Sequence, residues 1–330
     1  MTFSLIICTY LRSKPLLELL NSVRTQSMYP NEILIIDSST DNETETILKE
    51  NSFKNLKYFK VGDEHRGLTK QRNYGITKVD KDSEVICFLD DDVVLETDYF
   101  QNLIATYEGK PNAIAVGGYI TNEVQWSISD KNNNPSRFYF DGYMRNEPFR
   151  FRVRRIFNLL PDMAPGFMPS FSHARSISFL PPSGKVYPVE FFMGGVSSYR
   201  KDAFKKINFS EYFDGYGLYE DLDFCLRASK FGALYVNTRA QLEHFHEAAG
   251  RPNRYKYGKM VVRNGWYVWR IKHNQVTIKT NLKFHATTLL LMGIHFINAF
   301  QGSNKVQSFT ETLGRFSGWI SLFFNKPIKK

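Results

Sequence analysis

Short apolar runs recur along the first part of the chain, and each is followed by polar residues and then by a helix-like pattern. These runs cover residues 3–8, 33–36, 56–61 and 85–89. Their length and their content of β-branched residues are typical of buried strands. Between them, apolar residues recur at helical spacing, first after Ser13. Strands that alternate with helices in this way predict an α/β fold with a doubly wound, mostly parallel sheet.

A further strand is predicted at residues 114–120, and the pattern then changes. Residues 121–189 show little periodicity and contain many aromatic residues and several arginines. Long segments of this kind inside a compact domain are often lids or binding loops. Periodicity returns after residue 190, with a helix expected from Glu220 and a strand expected at residues 233–237.

Three consecutive carboxylates, Asp90, Asp91 and Asp92, follow the strand-like run at residues 85–89. Burying them without partners would be costly, so they must lie at the exit of the strand, in water or on a cation. Ligands of open α/β sheets bind outside the carboxyl ends of the strands. Because Mg²⁺ favours one or two carboxylates together with phosphate oxygens, the triplet predicts a metal–diphosphate site. A solvated acidic turn is the alternative.

Polar residues also end the other predicted strands. Thr9 and Tyr10 follow the first strand, and Asp37 follows the second. Since parallel strands place their carboxyl ends at one edge of the sheet, we expect these side chains to lie near the acidic triplet. Arg72 lies near the start of a predicted helix, where basic groups and free backbone N–H groups suit a phosphate. A solvated helix face is the other explanation for Arg72.

A pair of glycines and a pair of acids stand out in the second part of the chain. Gly194 and Gly195 follow an apolar run, and they would let a ligand or a neighbouring segment approach the backbone closely. Glu220 and Asp221 lie in the first turn of a predicted helix, where the helix dipole favours acids. A general base pointing into the site is the functional interpretation of that pair.

Four more residues complete the set of candidates. Asp214 and Asp223 are alternatives for the general base, although Asp223 is expected to face away from Asp221 on the helix. His244 and His246 follow the predicted strand at residues 233–237, and we expect at most one of them to face the site.

Composition narrows the class of protein. The 330 residues are 42% hydrophobic and 23% charged, which indicates an ordinary globular chain. The net charge of +10 permits nucleic acid, an anionic membrane surface or a phosphorylated substrate as partner. Cys8, Cys87 and Cys225 lack metal-ligand spacing, so free thiols in a reducing compartment are expected. The first residues have no basic region and too short an apolar core for a signal peptide.

The last 80 residues are rich in basic and aromatic side chains. Two apolar stretches occur there, at residues 284–300 and 316–324, and the first is too short and too polar for a confident transmembrane helix. The second is followed by lysines, a composition that suits an interfacial helix on an anionic membrane. Packing against the preceding domain and a dimer contact are the alternatives.

Taken in order, these motifs resemble those of the family 2 glycosyltransferases, which have the GT-A fold. The residues that carry the resemblance are Thr9-Tyr10, Asp37, Arg72-Asn73, the Asp-x-Asp of Asp90 to Asp92, Gly194-Gly195 with Arg200, Glu220-Asp221, and His244. The resemblance implies a GT-A catalytic domain over residues 1–250 and a basic, aromatic extension, helical or irregular, over residues 251–330. Within the domain it implies a nucleotide-binding half (1–120), an insertion or lid (121–189) and an acceptor half (190–250).

The resemblance also implies a role for each matching position. The nucleotide would be held by Thr9, Tyr10, Asp37, Arg72, Asp90 and Asp91. Mg²⁺ or Mn²⁺ would be ligated by Asp92 and by His244 (or His246). The donor or acceptor sugar would lie against Gly194 and Gly195. Asp221 would be the catalytic base with Glu220 beside it, and the diphosphate would contact Arg251 and Arg254, which fit the family pattern loosely.

The implied activity is inverting, metal-dependent transfer of a sugar from a nucleotide donor, most commonly a UDP-sugar, to a glycan or polyprenyl-linked glycan acceptor. A dTDP-rhamnose-dependent rhamnosyltransferase is the alternative donor class, and a non-catalytic nucleotide-sugar-binding protein is an alternative from another class. A nucleotidyltransferase would need a glycine-rich basic loop after the first strand, which is absent. The dispersed positive charge argues against a nucleic-acid partner. The expected location is cytoplasmic, at most peripheral on the inner face of the plasma membrane.

Overall fold

The computed structural model describes residues 1–130, 134–246, 252–301 and 305–328. The chain forms two compact units, each made of two segments. Unit 1 comprises Met1–Gln125 and Ile177–Gly250, and unit 2 comprises Trp126–Ser176 and Arg251–Lys330.

The strands and helices are numbered in chain order. The strands are β1 (Phe3–Thr9), β2 (Glu32–Asp37), β3 (Leu56–Lys60), β4 (Val85–Asp90), β5 (Val93–Leu95), β6 (Ala113–Ile120), β7 (Ser127–Ile128), β8 (Arg137–Phe140), β9 (Tyr143–Asn146), β10 (Val186–Val189), β11 (Val196–Arg200) and β12 (Ala233–His244). The helices are α1 (Ser13–Arg24), α2 (Glu43–Glu50), α3 (Leu68–Ile76), α4 (Tyr99–Gly109), α5 (Phe149–Ile156), α6 (Glu220–Ala228), α7 (Arg254–Lys272), α8 (Ile278–Gln301) and α9 (Lys305–Phe324).

Unit 1 is built on one large sheet with the strand order β10-β12-β6-β11-β4-β1-β2-β3, and β5 pairs with β12. Strands β1 to β4 run parallel, and β11 is inserted antiparallel between β4 and β6. The central strands are buried along almost their whole length because helices cover the sheet, as expected for parallel strands. The predicted α/β fold with a mostly parallel sheet and C-terminal helices is therefore confirmed.

The register of the sheet brings the predicted polar residues to one edge. Thr9 pairs with Asp37 across β1 and β2, and Cys8 pairs with Asp90 across β1 and β4. The amide of Asp90 donates to the carbonyl of Gly195 (3.1 Å), so the start of β11 lies at the same edge. The strand ends and the glycine pair thus converge, although they are far apart in the sequence.

Two segments differ from the sequence-based expectation. Residues 121–189, which showed little periodicity, contain β7 to β9, α5 and β10, all too short to produce a clear repeat. The strand expected at residues 233–237 continues to His244, because its second part pairs with β5 and the end of β6.

Unit 2 contains the small antiparallel sheet β7-β9-β8, helix α5 and the long helices α7, α8 and α9. Helices α7 and α9 pack through glycines, since a Cβ at Gly258 would overlap the backbone of Glu311 and a Cβ at Gly314 would overlap that of Tyr255. Among the described residues, no helix has both the length and the apolar content needed to cross a bilayer.

Candidate active site

Asp90 and the glycine pair form the centre of the site. Asp90 ends β4 and is partly exposed, and its carboxylate occupies the space that a side chain at position 195 would fill. At position 194, a Cβ would lie 2.5 Å from the Glu220 carboxylate and 2.7 Å from the Arg72 guanidinium. Glycine at 194 and 195 is therefore required by the acidic and basic side chains that crowd this edge of the sheet.

We expect Gly195→Ala to push the Asp90 carboxylate out of position and to weaken nucleotide binding at least about tenfold while the protein stays folded. Gly109→Ala is the matched control, because nothing lies within 4 Å of a Cβ at that position. Calorimetric titration with nucleoside diphosphates, alongside thermal melting, checks this prediction. Wild-type nucleotide affinity in Gly195→Ala would show that the position of Asp90 is irrelevant to the ligand.

Asp91, the middle acid of the triplet, points away from the cleft. It is 3% exposed and accepts hydrogen bonds from the hydroxyl of Thr9 (2.7 Å) and from Arg12 Nη1 (2.9 Å). Burial raises the pKa of Asp91 to about 6, although the charge of Arg12 opposes this shift. Thr9 and Asp91, both predicted to hold the nucleotide, are thus bonded to each other and fix the loop between β1 and α1.

Asp92 lies against the end of β12. Its Oδ1 is 3.2 Å from His244 Nε2, and its Oδ2 is 3.5 Å from Arg12 Nη1. The other imidazole nitrogen of His244, Nδ1, is 3.5 Å from Glu123 Oε1. Burial disfavours the imidazolium form, but hydrogen bonds to Asp92 and Glu123 outweigh it and raise the pKa of His244 to about 10.

His246 also contacts Glu123, with Nε2 at 3.0 Å from Oε1, and its ring centre lies 4.0 Å from that of His244. The expectation that at most one histidine faces the site is wrong. β12 ends at His244, and His246 follows it with a left-handed φ of +55°, so the alternation of an extended strand does not govern the two side chains and both imidazoles contact Glu123.

Asp90, Asp92 and His244 fit a divalent cation. Each offers one ligand atom, and these three atoms lie within 4.8 Å of one another. Two carboxylate oxygens and one imidazole nitrogen form a donor set that suits Mn²⁺, and the carboxylates suit Mg²⁺. A second group, Glu123 with His244 and His246, meets the same distance criterion and shares His244.

Arg72 and Glu220 join the two halves of the site. Arg72 is 2% exposed, and its guanidinium pairs with the Glu220 carboxylate and lies 3.6 Å from Asp90. It also lies over the rings of Phe88 and Phe209. Arg72, which the resemblance placed near the base or the phosphates, is therefore held between two carboxylates in a largely apolar surrounding.

Glu220 combines burial with a carboxylate oxygen that has no partner among the described residues. It is 4% exposed, and its Oε2 has no hydrogen-bond partner among the described residues. Burial raises the pKa of Glu220 to about 8, against the opposing charge of Arg72. A buried carboxyl oxygen without a partner is costly, so this atom is available for a ligand.

Asp221 follows Glu220 in the first turn of α6. Its Oδ2 accepts a hydrogen bond from the amide of Gly194 (3.2 Å), and its Oδ1 accepts one from its neighbour Leu222 (2.8 Å). Burial raises the pKa of Asp221, although these two hydrogen bonds oppose the shift. The residue before the pair, Tyr219, has φ +71°, a left-handed conformation that turns the chain sharply into α6.

Asp37 and Tyr10, two more residues predicted to hold the nucleotide, lie at the end of β2 and directly after β1. Asp37 is fully buried and accepts from the Ser39 amide (2.7 Å) and the Tyr58 hydroxyl (2.8 Å). The ring of Tyr10 lies 5.8 Å from the guanidinium of Arg66, at the open end of β1.

Neither alternative for the base has the setting of Asp221. Asp223 is fully buried and paired with Arg227, whereas Asp214 is exposed and lies 3.5 Å from Lys70. Arg254 pairs with Glu311 inside unit 2 at 3.7 Å. Arg251 lies outside the described residues.

A pocket of about 420 Å³ adjoins Asp92 on the side of α1. Its walls include Arg12, Lys14, Glu43, Val94 and Phe245. The mixture of both charges with exposed apolar surface suits a polar ligand that also has an apolar face.

Two residues of the site escaped the sequence analysis. Arg12 holds Asp91 and Asp92, and Glu123 contacts both histidines. Arg12 directly follows Thr9-Tyr10-Leu11, so its position just after the first strand was a usable signal. Nothing in the surroundings of Glu123 in the sequence distinguishes it from a surface acid.

Comparison with known families gives a direct match. The profile described as "Glycosyl transferase family 2" matches residues 4–207, more than half of the chain, and one described as "N-terminal domain of galactosyltransferase" matches residues 174–254. Unit 1 and the candidate site fall largely within these two ranges.

Two curated relatives match part of the chain. The glucosyl-dolichyl phosphate glucuronosyltransferase of Haloferax volcanii is 29% identical over 142 residues, which are 42% of this chain and 44% of that protein. The O-antigen chain rhamnosyltransferase of Salmonella typhimurium is 30% identical over 119 residues, 36% of this chain and 37% of that protein. The matched part thus spans less than half the length of either relative.

Solved structures support the fold. TarS of S. aureus superposes with a TM-score of 0.54 at 16% identity, covering 97% of this chain and 80% of that one. A mannosyltransferase from Pyrobaculum calidifontis, solved with GDP-Man and Mn²⁺, gives a TM-score of 0.55 at 14% identity, covering 98% and 88%. At these identities the likeness shows the GT-A fold alone.

Proposed function

The chain belongs to glycosyl transferase family 2, and we propose that it transfers a sugar with inversion from a nucleoside diphosphate donor to a hydroxyl of a glycan or lipid-linked glycan. The observation that carries the proposal is the convergence at Gly194-Gly195. The Asp90 carboxylate lies against Gly195, the Gly194 amide donates to Asp221, and the ligand atoms of Asp90, Asp92 and His244 lie within 4.8 Å of one another. A leaving-group site and a base beside the same short backbone segment suit in-line displacement.

We propose that Asp221 acts as the general base. Its carboxylate takes the proton of the acceptor hydroxyl as the hydroxyl oxygen bonds to the anomeric carbon and the bond from that carbon to the diphosphate breaks. The Gly194 and Leu222 amides, which donate to Asp221, fix the orientation of the carboxylate before the acceptor arrives. Its raised pKa makes the group a stronger base than an exposed aspartate.

Asp90, Asp92 and His244 would hold Mg²⁺ or Mn²⁺. A bound cation would neutralise the negative charge that develops on the departing diphosphate. The mannosyltransferase structure that contains Mn²⁺ shares the fold and supports this proposal. Thr9 and Arg12, through their bonds to Asp91, keep the acidic loop in place, so that Asp90 and Asp92 face the ligand.

Glu220 would contact the donor or acceptor sugar through Oε2, the buried atom without a partner. As a carboxylate whose other oxygen is paired with Arg72, Glu220 can accept a hydrogen bond from a sugar hydroxyl at this oxygen. Arg72 holds the other oxygen and thereby couples Glu220 to Asp90 on the donor side.

We infer a UDP-sugar as the donor, with dTDP-rhamnose as the second candidate because one relative is named as a rhamnosyltransferase. A lipid-phosphate-linked acceptor is supported by the relative whose name includes glucosyl-dolichyl phosphate. Release of nucleoside diphosphate from a panel of UDP-, GDP- and dTDP-sugars, with and without Mn²⁺, tests these proposals. One nucleotide class should support Mn²⁺-dependent turnover. Binding without turnover for every donor and acceptor would favour the non-catalytic alternative.

Glu123 would orient His244 toward the metal, since a carboxylate on the far nitrogen of a ligating imidazole fixes its ring and tautomer. We expect Glu123→Ala to weaken Mn²⁺ affinity about 10- to 100-fold, while Glu123→Gln, which keeps an acceptor oxygen, recovers most of it. Electron paramagnetic resonance of free Mn²⁺ measures this at constant pH. Glu96→Ala, an exposed acid of the same unit, is the control. Equal affinity in Glu123→Ala and in the control would exclude the role.

A further inference from the structure

Helix α9 exposes an apolar side. The exposed large residues recur every three or four positions, which places them on one face of the helix. They are Val306, Phe309, Leu313, Phe316, Ile320 and Phe323, and the most buried of them is still 37% exposed. Phe324, at the end of the helix, is 88% exposed.

The buried side of α9 is mostly small and polar. Thr312, Gly314 and Gly318 lie there, together with Leu322. Glu311 and Arg315 are also buried on this side and bond to each other at 2.7 Å. A helix that faces water normally has the reverse arrangement, with its polar side outward. Close backbone packing at the glycines and this buried ion pair hold α9 in place. On its apolar side Phe323 stacks on His285 of α8, while the other large residues of that side keep at least 37% of their surface exposed.

Helix α8 likewise exposes apolar residues and buries polar ones. Ile278, Leu282, Leu289, Phe296 and Phe300 are all at least 39% exposed and follow one another at helical spacing. Thr287 and Thr288 are buried, and each donates its hydroxyl to the α8 backbone one turn earlier. The two helices pack on each other, with Trp319 Nε1 donating to His285 (3.1 Å). An exposed apolar surface of this extent marks an interaction site.

The positive charge of unit 2 indicates an anionic partner. The described residues from 252 onward contain eleven Lys and Arg side chains and one acid, Glu311. Lys279 lies beside Ile278 and Leu282 at the start of α8, and Lys305 and Lys326 flank α9. Lysines at the ends of an apolar helix face suit the phosphates of an anionic lipid surface, while the apolar side chains enter the acyl boundary.

We propose that the exposed sides of α8 and α9 lie in the interface of an anionic membrane. A second copy of this chain would fit this surface less well, because its unit 2 carries the same excess of positive charge and the two copies would repel each other. The proposal concerns unit 2 alone and does not rest on the proposed chemistry, so either can fail without the other. If both hold, the membrane would be where a lipid-linked acceptor is found.

Flotation of the full chain with lipid vesicles tests the proposal. We expect binding to vesicles of phosphatidylcholine with about one third phosphatidylglycerol, with about tenfold weaker binding to phosphatidylcholine alone and to the anionic vesicles in high salt. The double variant Phe309→Gln, Phe316→Gln should lose binding at least about 30-fold, because two exposed rings no longer enter the lipid. Phe231→Gln, an exposed phenylalanine of unit 1, is the matched control and should bind like the wild type.

Lys279→Glu with Lys305→Glu should weaken binding to anionic vesicles and leave the weak binding to neutral ones unchanged. Circular dichroism and thermal melting of every variant verify that the fold is kept. Wild-type vesicle binding by the double phenylalanine variant would overturn the proposal. The proposal would also be overturned if the wild-type chain did not bind vesicles but formed a dimer that the phenylalanine substitutions dissociate. The apolar surface would then be covered by a second copy.

Discussion

Replacement of Asp221 by Asn is expected to lower kcat at least about 100-fold while donor affinity stays at the wild-type value. The amide oxygen of Asn can still accept the hydrogen bonds from Gly194 and Leu222, so α6 and the glycine segment should keep their positions. The amide cannot take a proton from the acceptor hydroxyl, and the chemical step therefore loses its base. Rapid-quench measurement of sugar transfer, with calorimetry for the donor, separates the two effects.

Asp214→Asn is the matched control for this variant. Asp214 is an exposed acid that precedes the same helix, and it was one of the two alternatives for the base. We expect its replacement to change kcat by less than about threefold. Full turnover in Asp221→Asn together with a large loss in Asp214→Asn would transfer the catalytic role to Asp214.

The pH dependence follows from the same burial. Because burial raises the pKa of Asp221, the carboxylate is protonated, and thus inactive as a base, at a higher pH than an exposed aspartate. As pH falls, kcat/KM should decline with an apparent pKa above the usual aspartate value of about 4. An acidic limb at or below that value would indicate a solvent-exposed base.

The second large effect is expected for Asp92→Ala. Removing this carboxylate takes one oxygen from the set with Asp90 and His244, so Mn²⁺ affinity and the Mn²⁺-dependent part of nucleotide affinity should fall at least about 100-fold. Arg12 keeps its bond to Asp91, and the loop after β4 should therefore remain folded. Calorimetric titration of nucleoside diphosphate with and without Mn²⁺ measures the change.

Asp98→Ala serves as the control for Asp92→Ala, because Asp98 is an exposed acid six positions later that makes no capping hydrogen bond to α4. It should bind Mn²⁺ and nucleotide like the wild type. An Asp92→Ala variant that titrates Mn²⁺ as well as this control would place the cation elsewhere, for example on Glu123 with the two histidines.

Much of unit 1 could be predicted because its signals are local. The runs that became β1, β2 and β4 are continuous and apolar, and the polar residue that ends each run marks the edge of a parallel sheet. The family resemblance placed Asp90, the glycine pair and Asp221 in one site, from their order along the chain. The boundaries of these strands differ from the prediction by no more than two residues.

The parts that could not be predicted depend on distant partners. Glu123 acquires its place only when β12 continues to His244, and that extension is set by pairing with β5. Thr9 and Asp91 appeared free to bind nucleotide, yet folding bonds them to each other. Lid behaviour of residues 121–189 stays a prediction. Composition predicted an interfacial helix at residues 316–324, but the apolar runs of α8 and α9 do not reveal which of their sides is buried.

Crystals of the chain grown with Mn²⁺ and its tightest-binding nucleoside diphosphate provide the most direct test, through the anomalous signal of manganese. The account predicts a manganese peak in contact with Asp92 and His244, with the diphosphate beside it and the Asp221 carboxylate facing the same cleft across Gly194-Gly195. The account would be contradicted by a manganese peak away from these side chains, or by an Asp221 carboxylate that points away from the diphosphate.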